Sequence, residues 1–425
     1  MYELMDFDQS AGTYIPPSGP IIPDAMDCMR CGMCLSSCPT YQLTQDEQEG
    51  PRQRVRTLSR LLVGQETLSN EAVEHLQNCL QCRACEAVCP SKMDYGELFD
   101  QAQLQLASPE TRHFYGRIAL NLVAKKRWFK SVLPLVKFFQ LSGLQALSRK
   151  LGILALIGLS RADNIAPVPT LKCLKPNYPV AEKRGVVALF SGCLSDHFDR
   201  QTLNDAIQVL NALGYEVLVP ERQSCCGAMH LHNGEAENAK QLMRHNLKVF
   251  NALSMQAVIY CATGCGSQLQ EYQHILANDE QELLAFQSKL QEVSEFINHN
   301  WPANLALEPC AKEVLVHEPC SQRNVLKNQS AVYAMLSRIP ELDVRELAEN
   351  NLCCGAAGSY MLTHPENADA LRYLKWQQVE SRGADYLVTS NIGCALQLKT
   401  VAQSNTRIEI IHPVSLLARQ INRKI

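Results

Sequence analysis

Two short stretches decide the fold of the N-terminal part: residues 28–39 read CMRCGMCLSSCP and residues 79–90 read CLQCRACEAVCP. Each stretch is a C-x2-C-x2-C-x3-C run closed by a proline. A cubane 4Fe-4S cluster is held by four thiolates, and three cysteines at this spacing can bind three of its irons from one turning segment. The fourth iron needs a more distant ligand. The two runs therefore predict two 4Fe-4S clusters.

The ligand sets follow from how paired runs behave. In two-cluster ferredoxins the last cysteine of each run ligates the other cluster. The predicted sets are Cys28, Cys31, Cys34 and Cys89 for the first cluster, and Cys38, Cys79, Cys82 and Cys85 for the second. Zinc also binds closely spaced thiolates, but two complete four-cysteine runs that both end in Cys-Pro favour iron and sulfide. Arg30, Arg83 and Lys92 could lie near the cluster sulfurs or be solvated surface residues.

Length and composition exclude several classes of protein. A chain of 425 residues suggests roughly three domains. The net charge of −3 gives no field that would attract nucleic acid, and an apolar fraction of 46% excludes wholesale disorder. The acidic start of the sequence lacks the pattern of a secretory signal, so we expect 19 reduced cysteines and a cytoplasmic location. No apolar run is long enough to predict a transmembrane helix.

The texture of the sequence changes along the chain. Helical periodicity dominates up to about residue 160, a stretch with four prolines follows, and short apolar β-rich runs then alternate with amphipathic helices. The predicted divisions are an extended arm at 1–24, a helical ferredoxin domain at 25–98, a helical connector at 99–162, a Pro-rich linker at 163–184, and two α/β modules at 185–300 and 301–425.

The α/β half contains an internal repeat. Gly192-Cys193 corresponds to Pro319-Cys320, Cys225-Cys226-Gly227 to Cys353-Cys354-Gly355, and Cys265 to Cys394, with offsets of 127, 128 and 129 residues. Such a match predicts two homologous modules in tandem. Cysteines at the ends of parallel strands can converge at one edge of a sheet.

Each module is therefore a candidate for an additional metal or cluster site, or for a set of free structural thiols. The candidate ligands are Cys193, Cys225, Cys226, Cys261 and Cys265 in the first module, and Cys320, Cys353, Cys354 and Cys394 in the second. Ser390 stands where the second module would have its fifth cysteine, which argues against a full cluster there. The neighbouring histidines, His230, His232 and His317, are expected to be satisfied surface residues rather than ligands.

These motifs resemble a known superfamily. The gap of 40 residues between the two cysteine runs is similar to the all-helical two-cluster ferredoxin module of succinate dehydrogenase and heterodisulfide reductase subunits, and EQEGPRQRVR (residues 47–56) resembles the Gly-Pro-Arg stretch of that module. The paired Cys-Cys-Gly segments resemble the CCG cysteine-rich domains. The order and length of the whole chain look most like the glycolate oxidase iron-sulfur subunits.

The resemblance implies an electron-transfer subunit. Its expected partners are an FAD-linked 2-hydroxy-acid oxidase and a quinone or another membrane acceptor, because no dinucleotide fingerprint is visible in this sequence. Equivalent subunits for lactate or glycerol 3-phosphate, and a thiol or disulfide reductase of heterodisulfide reductase type, are the alternatives. Residues 129–160 mix apolar and basic side chains; a core-facing helical stripe is the preferred interpretation, and a docking face for a membrane or partner is the other.

Overall fold

The computed structural model describes residues 28–62, 68–106, 122, 126–276, 279–402 and 408–421. The predicted arm at 1–24 lies outside the described residues. The first part of the chain is helical: α1 Pro39–Thr44, α2 Pro51–Leu62, α3 Asn70–Gln77, α4 Ala84–Ala87 and α5 Tyr95–Leu106, with a 3-10 turn at Glu47–Glu49. The helical periodicity predicted for this part of the chain is therefore present, and α2 and α3 lie between the two cysteine runs.

Local sequence explains where these helices begin. Pro39 starts α1 directly after Cys38, since its fixed φ suits the first helical position. Ser69 caps α3 by accepting a hydrogen bond from the Ala72 amide at 3.1 Å. The apolar sides of α2, α3 and α5 then meet in a small core that contains Leu58, Leu76 and Leu98. The cysteine runs lie at the margin of this core.

The next segment contains short helices: α6 Lys126–Leu141, α7 Leu144–Lys150, α8 Ile153–Leu156 and α9 Ser160–Ile165. Gly143 and Gly152 adopt left-handed φ values of 86° and 69° between them, which other residues adopt only with strain. The preferred interpretation of residues 129–160 as a core stripe is wrong for most of this segment. Leu133 and Leu154 are buried, but most of the other apolar side chains face solvent.

The two α/β modules each contain one sheet. The strands are β1 Asn177–Tyr178, β2 Gly185–Phe190, β3 Tyr215–Leu218, β4 Ala257–Tyr260 and β5 Leu290–Glu292, then β6 Glu313–His317, β7 Asp343–Glu346, β8 Tyr386–Thr389 and β9 Glu409–Ile411. The strand orders are β1-β3-β2-β4-β5 and β7-β6-β8-β9, and all pairs are parallel except the antiparallel β1–β3 pair. Because β1 pairs with β3, the first sheet includes a strand from the predicted linker at 163–184.

Helices connect these strands. They are α10 Ser195–Phe198, α11 Arg200–Ala212, α12 Ala228–His232, α13 Ala236–Asn251, α14 Thr263–Gln270, α15 Tyr272–Ile275, α16 Glu280–Gln287 and α17 Val293–His299 in the first module, and α18 Ser330–Leu336, α19 Tyr360–Thr363, α20 Pro365–Arg382, α21 Ile392–Ala402 and α22 Pro413–Gln420 in the second, with a π-helix at Ser321–Leu326. The alternation confirms the α/β pattern predicted from the sequence.

The modules share a hydrophobic core. Helix α22 of the second module packs against α11 of the first, and Leu210 and Leu417 belong to one buried cluster. Gln208 donates a hydrogen bond to the Ala418 carbonyl across this contact at 3.1 Å. The carboxyl ends of the two sheets are therefore held in a fixed relation, which matters because the cysteines follow those strand ends.

Candidate functional site

The two ferredoxin-type runs adopt the same unusual backbone. Arg30 and Gln81, each two residues after the first cysteine of its run, have φ values of 53° and 51°. Gly32 and Arg83, each four residues after it, have φ values of 83° and 56°. Left-handed non-glycine residues are uncommon and carry strain, so their repetition at matching positions points to a functional constraint on both loops.

One of the predicted ligand sets surrounds a single cavity. Cys38 of the first run and Cys79, Cys82 and Cys85 of the second all line it. Cys28 and Cys89, which are predicted to share the other cluster although 61 residues separate them, pack against the same small core. Cysteines of both runs therefore lie at this cavity and at the margin of the small core.

The chemistry of these donors suits a cationic iron-sulfur group. Burial and the nearby thiols of Cys28, Cys38 and Cys31 raise the pKa of Cys34 to about 11. Burial and the thiols of the second run likewise raise the pKa of Cys85 well above its usual value. Crowded thiolates repel one another unless metal ions neutralise them, so iron binding would remove the cost of gathering these side chains.

A buried arginine contacts this site and was missed by the sequence analysis. Arg54 donates to the Cys38 sulfur at 3.8 Å and to Thr40 Oγ1 at 2.9 Å, and it pairs with the buried Glu49. Its Nε also donates to the His75 carbonyl at 2.8 Å. The signal was available, because Arg54 and Glu49 lie in the EQEGPRQRVR stretch, but the sequence does not show which arginine turns inward. Hydrogen bonds to cluster sulfurs tune reduction potentials.

The interpretation of Arg83 as a solvated surface residue is wrong. It is buried at the boundary with the first α/β module, where it pairs with Glu271 and lies 3.6 Å from Asp100. Gly96 packs so closely on the guanidinium that an added Cβ would lie 1.8 Å from it. Arg83 therefore joins the ferredoxin part to the first module.

In the first α/β module four thiols lie in hydrogen-bonded series. Cys193 contacts Cys225, Cys225 contacts Cys226, and Cys226 contacts Cys265. Hydrogen bonds from Cys193 and Cys226 lower the pKa of Cys225 well below its usual value. Gly227 follows with φ of 95°, which begins α12 immediately after the cysteine pair.

The second module repeats this arrangement. Cys320 contacts Cys353, Cys353 contacts Cys354, and Cys354 contacts Cys394. Hydrogen bonding to Cys353 and burial raise the pKa of Cys320 well above its usual value. Gly355 has φ of 81°, and a Cβ there would lie 2.5 Å from the Ala368 carbonyl oxygen. Both Cys-Cys-Gly glycines thus occupy positions where a side chain is disfavoured.

The structure corrects the role predicted for Cys261. This side chain follows β4 on the sheet face that holds Ile259, and it packs into the apolar core away from the four grouped thiols. Cys265 lies one turn into helix α14, beyond the end of the strand, so its side chain separates from that of Cys261. Ser390, its counterpart, is buried where its carbonyl accepts a hydrogen bond from the Thr263 amide. The missing fifth cysteine therefore leaves the second module with as many grouped thiols as the first.

Two of the three histidines are buried, contrary to the surface positions expected for them. His230 is fully buried and hydrogen-bonds to Cys225. A ring nitrogen of His317 and the sulfurs of Cys354 and Cys394 all lie within 4.8 Å of one another, and its Nδ1 is 2.9 Å from Thr389 Oγ1. His317 therefore extends the donor set of the second module. His232 is only partly buried and lines the cavity described next.

A single cavity of about 180 Å3 connects these groups. It is lined by the four grouped cysteines of each module, Cys193, Cys225, Cys226, Cys265, Cys320, Cys353, Cys354 and Cys394, and also by Cys82 of the ferredoxin part. Asn324 of the second module donates to the Cys82 carbonyl at 2.8 Å. The ferredoxin run and both α/β modules thus meet at one place, a position that sequence spacing alone did not reveal.

Comparison with known proteins identifies the two kinds of domain in this chain. Residues 24–93 match the family described as 4Fe-4S dicluster domain, and residues 187–270 and 314–399 match the family described as cysteine-rich domain. The chain is 33% identical over 94% of its length to a probable glycolate oxidase iron-sulfur subunit of Bacillus subtilis, covering 95% of that protein. The chain belongs to the family of glycolate oxidase iron-sulfur subunits. The resemblance stated from the motifs is thereby confirmed.

Other members and neighbours extend the comparison. The glycolate oxidase iron-sulfur subunit of Escherichia coli is 31% identical over 90% of this chain and 92% of its own length. Lactate utilization protein A of Shouchella clausii is 27% identical over 54% of this chain and 98% of its own length. The crystal structure of a hypothetical protein from Helicobacter pylori has a TM-score of 0.52 at 12% identity, covering 88% of this chain and 68% of that one, and so shares the fold.

The structure also bears on the membrane question. Among the residues that it describes, no helix combines the length and apolar character needed to cross a bilayer.

Proposed function

We propose that this chain carries electrons from an FAD-linked partner subunit, which oxidises glycolate to glyoxylate, to a quinone or another membrane acceptor. The oxidation releases two electrons and two protons, and the electrons are the part this chain would receive. A 4Fe-4S cluster accepts and releases one electron at a time when bound. The observation that carries the proposal is the convergence of Cys38 with Cys79, Cys82 and Cys85 on one cavity. A cytoplasmic location beside the membrane fits this role.

The ferredoxin-type cysteines would hold two clusters. Cys28, Cys31, Cys34 and Cys89 would bind the first, and Cys38, Cys79, Cys82 and Cys85 the second. Arg54 and Tyr95 would orient this second set, since Arg54 donates to Cys38 and the Tyr95 hydroxyl lies 3.4 Å from the Cys79 sulfur. Both side chains are buried, which keeps these contacts shielded from water.

The grouped thiols of the α/β modules would hold further metal, as a cluster or as zinc. Four sulfurs in contact are a suitable donor set in each module, and His317 adds a nitrogen in the second. Cys82 lines the same cavity as these groups, so a redox group held by the second module would be adjacent to the second ferredoxin cluster.

A second candidate function rests on the same cavity. Eight grouped thiols around 180 Å3 could serve thiol or disulfide chemistry, in which a disulfide takes up two electrons and two protons to give two thiols. The match to lactate utilization protein A favours lactate as an alternative donor to glycolate.

The test is anaerobic quantification of iron, zinc and acid-labile sulfide on the purified chain and on a Cys38→Ser variant. Two ferredoxin clusters require about eight irons that do not depend on the α/β modules. Loss of iron in Cys38→Ser, but not in the matched Cys173→Ser control at an exposed thiol, is the expected result. Zinc without sulfide would overturn the proposal.

A further inference from the structure

An apolar face covers the connector helices, although these helices belong to a chain with two well-formed cores. Of the 19 large apolar side chains that are exposed among the described residues, 11 lie between residues 128 and 159. This apolar face consists of Trp128, Leu135, Phe138, Leu141, Leu144, Leu147, Leu151, Ile153, Leu156, Ile157 and Leu159. Monomeric proteins rarely leave so continuous a patch in water, so the face needs a partner.

The opposite side of the same helices is anchored to the body of the protein. Phe129 packs edge-on against His197 and Phe198, with ring centroids 5.5 Å and 6.4 Å apart. Farther along, Gln140 donates to the Ala166 carbonyl at 3.2 Å. These contacts fix which side of α6 turns outward, so the exposure of Leu135 and Phe138 is set by the fold.

Anchoring continues at the far end of the segment. Arg149 pairs with Asp163 at 2.5 Å, and Arg161 reaches the second α/β module, where it donates to the Met361 carbonyl and pairs with Asp369. Leu154 is buried on this inner side. These contacts therefore fix the positions of the helices that carry the apolar face.

The charges of this segment indicate which kind of surface it would bind. Residues 125–161 contain eight basic residues, Lys125, Lys126, Arg127, Lys130, Lys137, Arg149, Lys150 and Arg161, and no Asp or Glu, whereas the whole chain has a net charge of −3. Leucine, isoleucine, phenylalanine and tryptophan combined with lysine and arginine are the pattern of helices that lie in the interface of an anionic membrane. Interfaces with other proteins are instead depleted in lysine.

We propose that the apolar face docks on the surface of an anionic phospholipid membrane, with its side chains in the headgroup and acyl boundary and the exposed ammonium of Lys150 at the lipid phosphates. The glycine breaks after α6 and α7 let three short helices follow a flat surface. This inference deepens the proposed function, since it brings the chain to the place where a quinone dissolves. It is tested without turnover, so its failure would leave the electron-transfer proposal intact.

The experiment is flotation of the intact, anaerobically purified chain with vesicles of phosphatidylcholine alone or phosphatidylcholine mixed with phosphatidylglycerol. The wild-type chain is expected to float with the anionic vesicles and to be released by salt, because surface charges are screened. Leu156→Ser with Ile157→Ser should reduce the vesicle-bound fraction about tenfold or more, since two exposed apolar side chains that would enter the acyl boundary are lost. Lys150→Glu should reduce it several-fold.

A matched control uses two side chains of similar exposure elsewhere. Leu284→Ser with Tyr373→Ser removes apolar surface that is 60% and 62% exposed in the two α/β modules, and it should leave flotation unchanged. Wild-type chain that stays unbound with anionic vesicles at low salt would overturn the proposal. The proposal would also be overturned if the wild-type chain does not bind vesicles but forms a dimer or binds the flavoprotein, and if the Leu156→Ser, Ile157→Ser variant loses that contact.

Discussion

The two α/β modules place four thiols in the same series but surround them with different side chains. In the first module Phe190 and Leu247 pack in one apolar cluster with Cys225 and Cys226. The positions that correspond to them, at offsets of 127 and 128 residues, are His317 and Lys375. A duplicated scaffold has thus kept its donor set and changed its polarity.

The charge of Lys375 has a specific consequence. The side chain is fully buried and donates to the Glu349 carbonyl at 2.7 Å. Burial lowers the pKa of Lys375, and the nearby charges of Cys353, Cys354 and Cys394 oppose this shift. A buried ammonium favours an anionic neighbour. A redox group held there, as proposed, would therefore gain an electron more readily than one in the first module. The second module is also the one whose Cys320 lies near Cys82.

The largest expected effect is on the metal content of the two modules, which cysteine substitutions should change one module at a time. Cys225→Ser with Cys226→Ser should remove only the metal proposed for the first module, and Cys353→Ser with Cys354→Ser only the metal proposed for the second, because each pair supplies two of four grouped sulfurs. Metal and sulfide per chain are the measurement. Cys261→Ser is the control and should change neither, since that thiol lies in the core; metal loss in Cys261→Ser would restore the five-cysteine hypothesis.

The next largest effect is on the free energy of unfolding and concerns the two Cys-Cys-Gly glycines. Gly355→Ala should destabilise the chain by on the order of 3 kcal/mol, because the new Cβ would add a backbone clash with Ala368 to the cost of a left-handed φ. Gly227→Ala should cost only about 1–2 kcal/mol, since its nearest neighbour is the flexible end of Met243 at 3.2 Å. Denaturant unfolding measures both. Equal losses would show that the two loops are equally tight.

A smaller effect tests the polarity of the second module. Lys375→Met removes the buried positive charge and should lower the midpoint potential of a redox group there by on the order of 50 mV, about tenfold in a one-electron equilibrium. Leu247→Met is the matched change in the first module, where no charge is lost. Redox titration followed by electron paramagnetic resonance reports both. A shift of the same size in both variants would contradict the assigned asymmetry.

The smallest effect concerns how the ferredoxin part contacts the first module. Burial raises the pKa of Asp100 to about 7 and that of Glu271 to about 8, although Arg83 opposes both shifts. A carboxyl whose folded pKa exceeds its unfolded value stabilises the fold most at low pH, and this contribution is lost as the pH rises through the folded pKa. Between about pH 4 and 8, unfolding stability should therefore decline with rising pH.

Asp100→Asn should make that decline shallower, because the amide stays neutral throughout this range. Asp343→Asn, at a half-exposed residue of β7, is the control. A pH profile of unfolding stability that is identical in wild type and Asp100→Asn would show that Asp100 ionises normally in the folded protein.

Much of this architecture could be predicted from the sequence, because its signals are local. Cysteine spacing, the Cys-Pro endings and the repeat of Cys-Cys-Gly indicated a ferredoxin part and two α/β modules, and the strands at Gly185–Phe190 and Ala257–Tyr260 lie where apolar runs placed them. What was missed depends on side-chain direction and on packing between distant segments. Cys261 packs into the core beside Ile259, and Arg54 turns inward to reach Cys38.

Periodicity also misled in the connector. Residues 129–160 have helical apolar spacing, and a helix with such a stripe usually turns it toward a core. The spacing is the same whether the stripe meets protein or lipid, so only the positions of neighbouring helices could decide. Once the structure shows that the stripe is exposed, the absence of acidic residues between 125 and 161 favours the proposed lipid surface.

The most direct test of the electron-transfer account is the visible absorbance of the anaerobic, metal-loaded chain mixed with glycolate and a catalytic amount of its FAD-linked partner. We expect the iron-sulfur absorbance to bleach only when both glycolate and the partner are present, and Cys38→Ser, which removes a proposed ligand of the second cluster, to lose most of this change. Bleaching by glycolate without the partner, or an unchanged spectrum with both present, would contradict it.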